Sequence, residues 1–420
     1  MSSGGGRAAA ARNVQLLMYL VGFLDLVGVM LVIPLFVVQL KKLGMSPLLN
    51  GAIRSIYGML QLGSSPIIGR WSDRWGRRPL LLVCLAVSAL SYMALGVSAS
   101  LWVMAVSRLV TGVFKHSTTL CKAVLADVTP PPDRPQVMGK FSGAMGIAVI
   151  LGPAIGGHLT NFENSFGVVC SISAAIFSIN WAVCLALLPA ALPLHSHTSE
   201  GQEPSDQPTQ QDPVVTEHIL PIQLLKEIDW KVFGDIFLVD FFLTFSLYAF
   251  RSSFVLMVDE VFGVSSMAIG YIISFQGIIG AAAGFLAGRV SRYFGDNQVV
   301  LLYSALVQAA SLLGLTFAPS MVFTIMMLVP LSVSGTLIQT TTSTIIVDRC
   351  SPSKIGSVTG VAQSIPAIAA MTTPVLTGLV QEVGARGPGL MAFLTAIFGA
   401  AAAGWATRFR RGEKPVEKFT

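Results

Sequence analysis

Uninterrupted apolar runs of about twenty residues recur along this chain, and no other feature restricts its fold as strongly. An α-helix of that length just crosses the hydrocarbon core of a bilayer, whereas the strands of a membrane β-barrel would alternate polar and apolar residues. Composition agrees: 53% hydrophobic and 11% charged residues, with a mean hydropathy of +0.71, leave too little polar surface to coat a soluble globule. The expected fold is an all-α polytopic membrane protein of twelve transmembrane helices in two six-helix bundles related by an internal repeat. The net charge of +6 does not call for nucleic acid, because the cations fall at helix ends and read as topology signals.

Helices are predicted at about 14–40, 51–69, 79–98, 101–127, 137–158 and 167–189, and again at about 232–257, 266–288, 298–317, 320–347, 356–380 and 387–407. The first run is expected to act as a retained signal anchor after a cytoplasmic tail, 1–13. Bundles over 14–189 and 231–408 flank a linker, 190–230, whose run HSHTSEGQEPSDQPTQQDP is too polar to bury and reads as disordered; residues 409–420 form a second tail. Arg70, Arg74, Arg77, Arg78, Arg134, Arg289, Arg292 and Arg349 load one set of loops, so that side is expected to be cytoplasmic, with both termini on it. Five scattered cysteines without close pairing imply no disulfide framework and no metal site. No phosphate-binding GxxxxGK[ST] loop is present, and no nucleophile is spaced with a base, so neither a cofactor nor an enzymatic activity is expected.

The halves are copies. Glycines 44, 51, 69 and 76 recur as glycines 263, 270, 288 and 295, and Asp127, Gly139, Pro153 and Gly157 recur as Asp348, Gly360, Pro374 and Gly378. Parallel repeats of this kind imply a transporter whose cavity lies between two bundles that rock about a membrane-normal axis.

Between the second and third runs stands GRWSDRWGRRPLLL, Gly69 to Leu82, a knot of four arginines and one carboxylate. This stretch resembles the signature loop of the major facilitator superfamily. SRLVTG, LADVTPPPDRPQVMG and ILGPAIGG, further on, are similar in order and spacing to drug and proton antiporters of the tetracycline-exporter kind within it. Full-length likeness, carried by VGFLDLVGVMLVIPL, IYGMLQL, GVFKHS and VAQSIP, is to an orphan vertebrate branch, which implies no substrate. The resemblance implies a conformational latch at Gly69, Asp73, Gly76, Arg77, Arg78, Asp127 and Arg134. In it Asp73 would meet the positive N-terminal end of the helix beginning near Ile355 when the cavity faces outward. Arg292 replaces the carboxylate in the second copy. Gly139, Gly152, Pro153, Gly156 and Gly157 are the small and kinking positions of the fifth helix, and Ala148 is a further small one.

Ionisable residues inside a membrane are costly and by default line a pathway. Asp25 lies near mid-span, where it either carries a proton or pairs with a cation across the bundle. Arg108, Lys115 and Lys122, spaced by seven, are expected to form a stripe on one helical face, with His116 beside it as a relay or a packing histidine. Asp240 is expected to answer that stripe from the other half, while Asp235 reads as an end anchor and Arg251 as an arginine at the outer surface. If Lys115 pairs with Asp25 or Asp240, solute charge is unconstrained; if it is unpaired, the solute is an anion. The reading is a monomeric, proton-coupled secondary transporter of a small organic solute in a lipid bilayer, working by alternating access. The alternative is a non-transporting receptor, sensor or scaffold on the same fold.

Overall fold

The computed structural model describes residues 3–98, 100–161, 164–189, 229–350 and 355–411. The expected linker falls almost wholly outside these residues, as do His195, His197 and His218 and most of the C-terminal tail.

The first half comprises α1 (Ser3–Lys42), α2 (Pro47–Trp75), α3 (Arg77–Val97), α4 (Leu101–Phe114), α5 (Ser117–Val128), α6 (Arg134–His158) and α7 (Ser165–Leu187). The second comprises α8 (Trp230–Phe262), α9 (Ser266–Phe294), α10 (Asn297–Thr316), α11 (Met321–Asp348), α12 (Ile355–Val383) and α13 (Gly387–Arg411). Ten helices among the described residues are long and apolar enough to cross a membrane. The other two crossings are α2, which carries Asn50, Arg54, Gln61 and Ser64, and the interrupted pair α4–α5. Helix is the only way such segments can satisfy every backbone group in lipid. Helix α1 begins at Ser3, so most of the expected N-terminal tail is helical.

The sequence repeat is a structural repeat. Helix α1 packs on α6, α3 on α7 and α2 on α4; in the second half, α8 packs on α12, α10 on α13 and α9 on α11. Equivalent turns use equivalent chemistry. Gly44 and Gly263 adopt positive φ of 80° and 62°, Gly76 and Gly295 of 95° and 68°, a backbone conformation that residues with a Cβ rarely adopt. Ser46 caps α2 by accepting from Leu49 N, and Ser265 caps α9 by accepting from Ala268 N.

The halves meet through α2 against α12 and through α6 against α9, two contacts equivalent under the repeat. A Cβ added at Gly51 would lie 2.1 Å from the carbonyl oxygen of Pro374, and one at Gly270 would lie 2.3 Å from that of Pro153. Gly157 and Gly378 make the matching contacts with Met267 and Pro47. Only glycine permits backbones to touch in this way. Lys41 adds a bridge to Asp259 of 2.6 Å across the same end. At the other end, which carries the charged turn, a Cβ added at Gly69, Gly139, Gly143, Gly288 or Gly360 would meet no described atom within 4 Å. Among the described residues the junction is therefore closed at the end of the α1–α2 turn and open at the end of the charged turn.

Gly152 and Gly156 pack against Met30 and Leu31 of α1, and Ala148 is fully buried. A Cβ added at Gly139 would meet no described atom within 4 Å.

Candidate functional site

Lys115 Nζ lies 2.5 Å from Asp25 Oδ1, and Ser117 donates to the same oxygen at 2.6 Å. Asp25 is 1% exposed. Of the two readings of Asp25, the geometry contains the pair, and its partner is Lys115. Lys115 is thus not unpaired, and by itself it implies no anionic solute.

The cationic stripe is not on one helix. The helix stops at Phe114 and restarts at Ser117, with Lys115 at φ −80°, ψ 65° and His116 at φ −117°, ψ 10°. The polar run 115–119 lies at the break, and its Ser117, Thr118 and Thr119 can bond locally in place of the helical ladder. Gln61 of α2 donates to the Lys115 carbonyl freed by the break at 3.0 Å, and Ser64 meets His116 Nε2 at 2.8 Å. His116 is a packed histidine fixing the restart, and Ser117 at that restart faces Asp25. Lys122, beyond the break, is exposed.

Three arginines gather toward the closed end. Arg54 of α2 crosses the junction and donates to the carbonyl oxygen of Ser252, next to Arg251, at 2.8 Å. Arg108 lies within electrostatic reach of Arg54. Its guanidinium sits 3.9 Å from the ring centroid of Phe36, and its buried Nε has no hydrogen-bond partner among the described residues. Arg251 is exposed and lines a cavity of about 210 Å³ in the second half. None of the three has an ion pair among the described residues. Sequence reasoning misses Arg54, although the rule that flags Asp25 applies to it equally. Arg251, expected at the outer surface, is exposed and also lines the cavity.

Asp240 does not answer the α4–α5 bases. It is buried at 7% exposure in the wall of that same cavity, with Thr244 at 3.4 Å as its hydrogen-bond partner. Of the α4–α5 bases Lys115 finds its acid in its own half, and Asp240 has no cation partner among the described residues. Asp235 pairs with Arg349 at 2.7 Å, an end anchor as expected.

In the charged turn Arg77 is the hub. It contacts Asp73 at 2.5 Å, Asp127 at 3.0 Å and Ser72 Oγ at 2.5 Å. Arg78 instead donates to the carbonyl of Leu185, and Arg134 to that of Thr129, so neither joins the cluster. The side chain of Asp73 is 61% exposed, and its ion-pair partner is Arg77 within its own turn.

Two repeated helical halves around a polar junction, closed at one end only, define a multi-pass membrane transporter. The profile of the Major Facilitator Superfamily matches residues 18–374, and the chain belongs to that family. Multidrug resistance protein 1 of Bacillus subtilis (strain 168) is 25% identical over 93% of this chain and 95% of its own. The class G tetracycline resistance protein of Vibrio anguillarum is 26% identical over 86% of this chain and 89% of its own. Among solved structures, a mutant form of the nucleoside transporter NupG superposes with a TM-score of 0.76 at 14% identity, covering 93% of this chain and 99% of that one. Family and fold are those of transporters, not enzymes.

Proposed function

We propose that the chain is a proton-coupled secondary transporter of a small organic anion, working by alternating access, and that the present arrangement is its inward-open state. The charge balance of the junction carries the reading. Among the described residues, Arg54, Arg108, Lys115 and Arg251 are set against the acids Asp25 and Asp240, and the one ion pair among these six is Asp25 with Lys115. Positive charge left uncompensated inside a membrane costs about 2.5–3.5 kcal/mol per residue on insertion scales, a cost that an anionic solute offsets.

Asp25 supplies the coupling. A proton arriving there discharges the carboxylate and frees Lys115, adding a positive charge to the site, so proton and anion binding reinforce each other. Relatives named for multidrug and tetracycline resistance support the transporter class and the plausibility of coupling, without fixing the solute. The open end, with its arginine-rich turn and both ends of the described chain, is the cytoplasmic side by the retention of Lys and Arg there. The protein works as a monomer, since each half already supplies its own wall of the junction.

The test is uptake into liposomes containing the purified protein, with and without an imposed pH gradient. Benzenesulfonate is the anionic probe, benzenesulfonamide the neutral one and tetraethylammonium the cationic one. Gradient-dependent accumulation of benzenesulfonate is the expected result. Accumulation of tetraethylammonium alone overturns the anionic reading.

A further inference from the structure

The cavity in the second half has a chemical character that goes beyond a preference for charge. One face of α8 presents Asp240, Tyr248 and Arg251 to it; Gln339 and Thr342 of α11 and Gln363 of α12 line it as well. Asp240 and Arg251 are eleven residues apart, close to three turns, so they share a face about 16 Å apart along the axis. They form no ion pair with each other or with any other described residue. Thr342 is 3% exposed, and its Oγ1 has no hydrogen-bond partner among the described residues. The side chains of Gln339, Gln363 and Tyr248 face the cavity with Thr342, whereas Gln308 of the same wall is committed to Leu243 O and Ser246 Oγ.

Amides and hydroxyls in a site that closes on its cargo penalise a lipophilic occupant, which would strip their water and return no hydrogen bond. A solute bearing hydroxyls returns those bonds. A carboxylate such as Asp240 accepts from hydroxyls, but repels a second acid group. Arg251 offers a forked donor that fits one carboxylate.

Resting on the anionic reading above, we infer that the solute is a small polyhydroxylated monocarboxylate. Its acid group is held by Arg251, and its hydroxyls are shared among Asp240, Gln339, Thr342 and Gln363. The cavity of about 210 Å³ suits a molecule of sugar-acid size.

Three probes with the same six-carbon chain separate the contributions. Gluconate has both carboxylate and hydroxyls, hexanoate the carboxylate alone, and sorbitol the hydroxyls alone. Binding is read as ligand-dependent thermal stabilisation of the full-length protein in detergent, titrated to an apparent Kd. Gluconate is expected to bind at least about tenfold more tightly than either of the others. Gln339→Leu and Thr342→Val should weaken gluconate and spare hexanoate, while Arg251→Gln should weaken both acids and leave sorbitol unchanged. Hexanoate binding as tightly as gluconate overturns the hydroxyl inference and leaves the anionic reading standing. Sorbitol equal to gluconate, with Arg251→Gln silent, overturns both. Failure of gluconate, glucuronate and glycerate alike to stabilise the protein overturns the inference, whatever benzenesulfonate does.

Discussion

Lys115 and Asp25, ninety residues apart in sequence, meet at 2.5 Å where the fourth membrane crossing is interrupted. Breaking a buried pair by removing one partner strands the other charge, at a cost of about 3–5 kcal/mol, while removing both is far milder. Asp25→Leu and Lys115→Met should therefore each lower the thermal transition in detergent substantially, and the double variant should recover most of the loss. Additive losses would show that the pair does not act as a unit.

The same pair gives the proposed coupling a direct test. Asp25→Asn removes the group that would carry the proton, so gradient-driven accumulation of benzenesulfonate should vanish while downhill exchange is retained. Accumulation unchanged in Asp25→Asn moves the coupling to another group.

Much of this architecture is legible in the sequence, and the physical reasons are specific. The glycines repeated at 44, 76, 263 and 295 are the positive-φ turns, and those at 51, 157, 270 and 378 are the backbone contacts between halves. A glycine required by geometry in one copy is required in the other. The polar run 115–119 spans the break at Lys115 and His116, but polarity alone does not place it, because its cause is a set of partners on α1 and α2. Arg54 and Arg251 are hidden for a related reason: a charge in a helix does not reveal which neighbour it faces until the helices are packed.

The two glycine contacts should act as a clamp on the closed end. Gly51→Ala places a methyl group against the Pro374 carbonyl, and overpacking of this kind costs about 1–3 kcal/mol in the arrangement that contains it. The protein should shift toward states open at that end. The readout is labelling of a cysteine placed at Thr377 by a membrane-impermeant maleimide, in a background without the native cysteines. Labelling should rise in Gly51→Ala and Gly270→Ala. Gly63→Ala, where a Cβ would meet nothing within 4 Å, should leave it unchanged. Equal labelling in all three would remove the clamp.

Lys41 and Asp259 bridge the halves at the same end, but with side chains 40% and 25% exposed the pair is screened. Such bridges contribute about 0–1 kcal/mol. Lys41→Gln should change thermal stability by no more than that, and less at high salt. A larger, salt-insensitive loss would mean that the bridge is buried by something in solution.

Asp73 should behave oppositely in stability and in transport. Its ion pair with Arg77 is local, exposed on the Asp73 side and reaches across the Gly76 turn between α2 and α3, so Asp73→Asn removes at most about 1 kcal/mol. Folding and membrane insertion should be unaffected. Arg77→Gln should be costlier, because Arg77 also holds Asp127 and Ser72. If Asp73 engages the positive end of α12 once the open end closes, its removal destabilises that closed state alone and slows turnover. The expected signature is a normal thermal transition with transport reduced severalfold, and maleimide labelling at Thr377 lowered because the protein rests longer in the present arrangement. Wild-type turnover in Asp73→Asn would sink the latch, and a matching fall in stability would make Asp73 a structural residue instead.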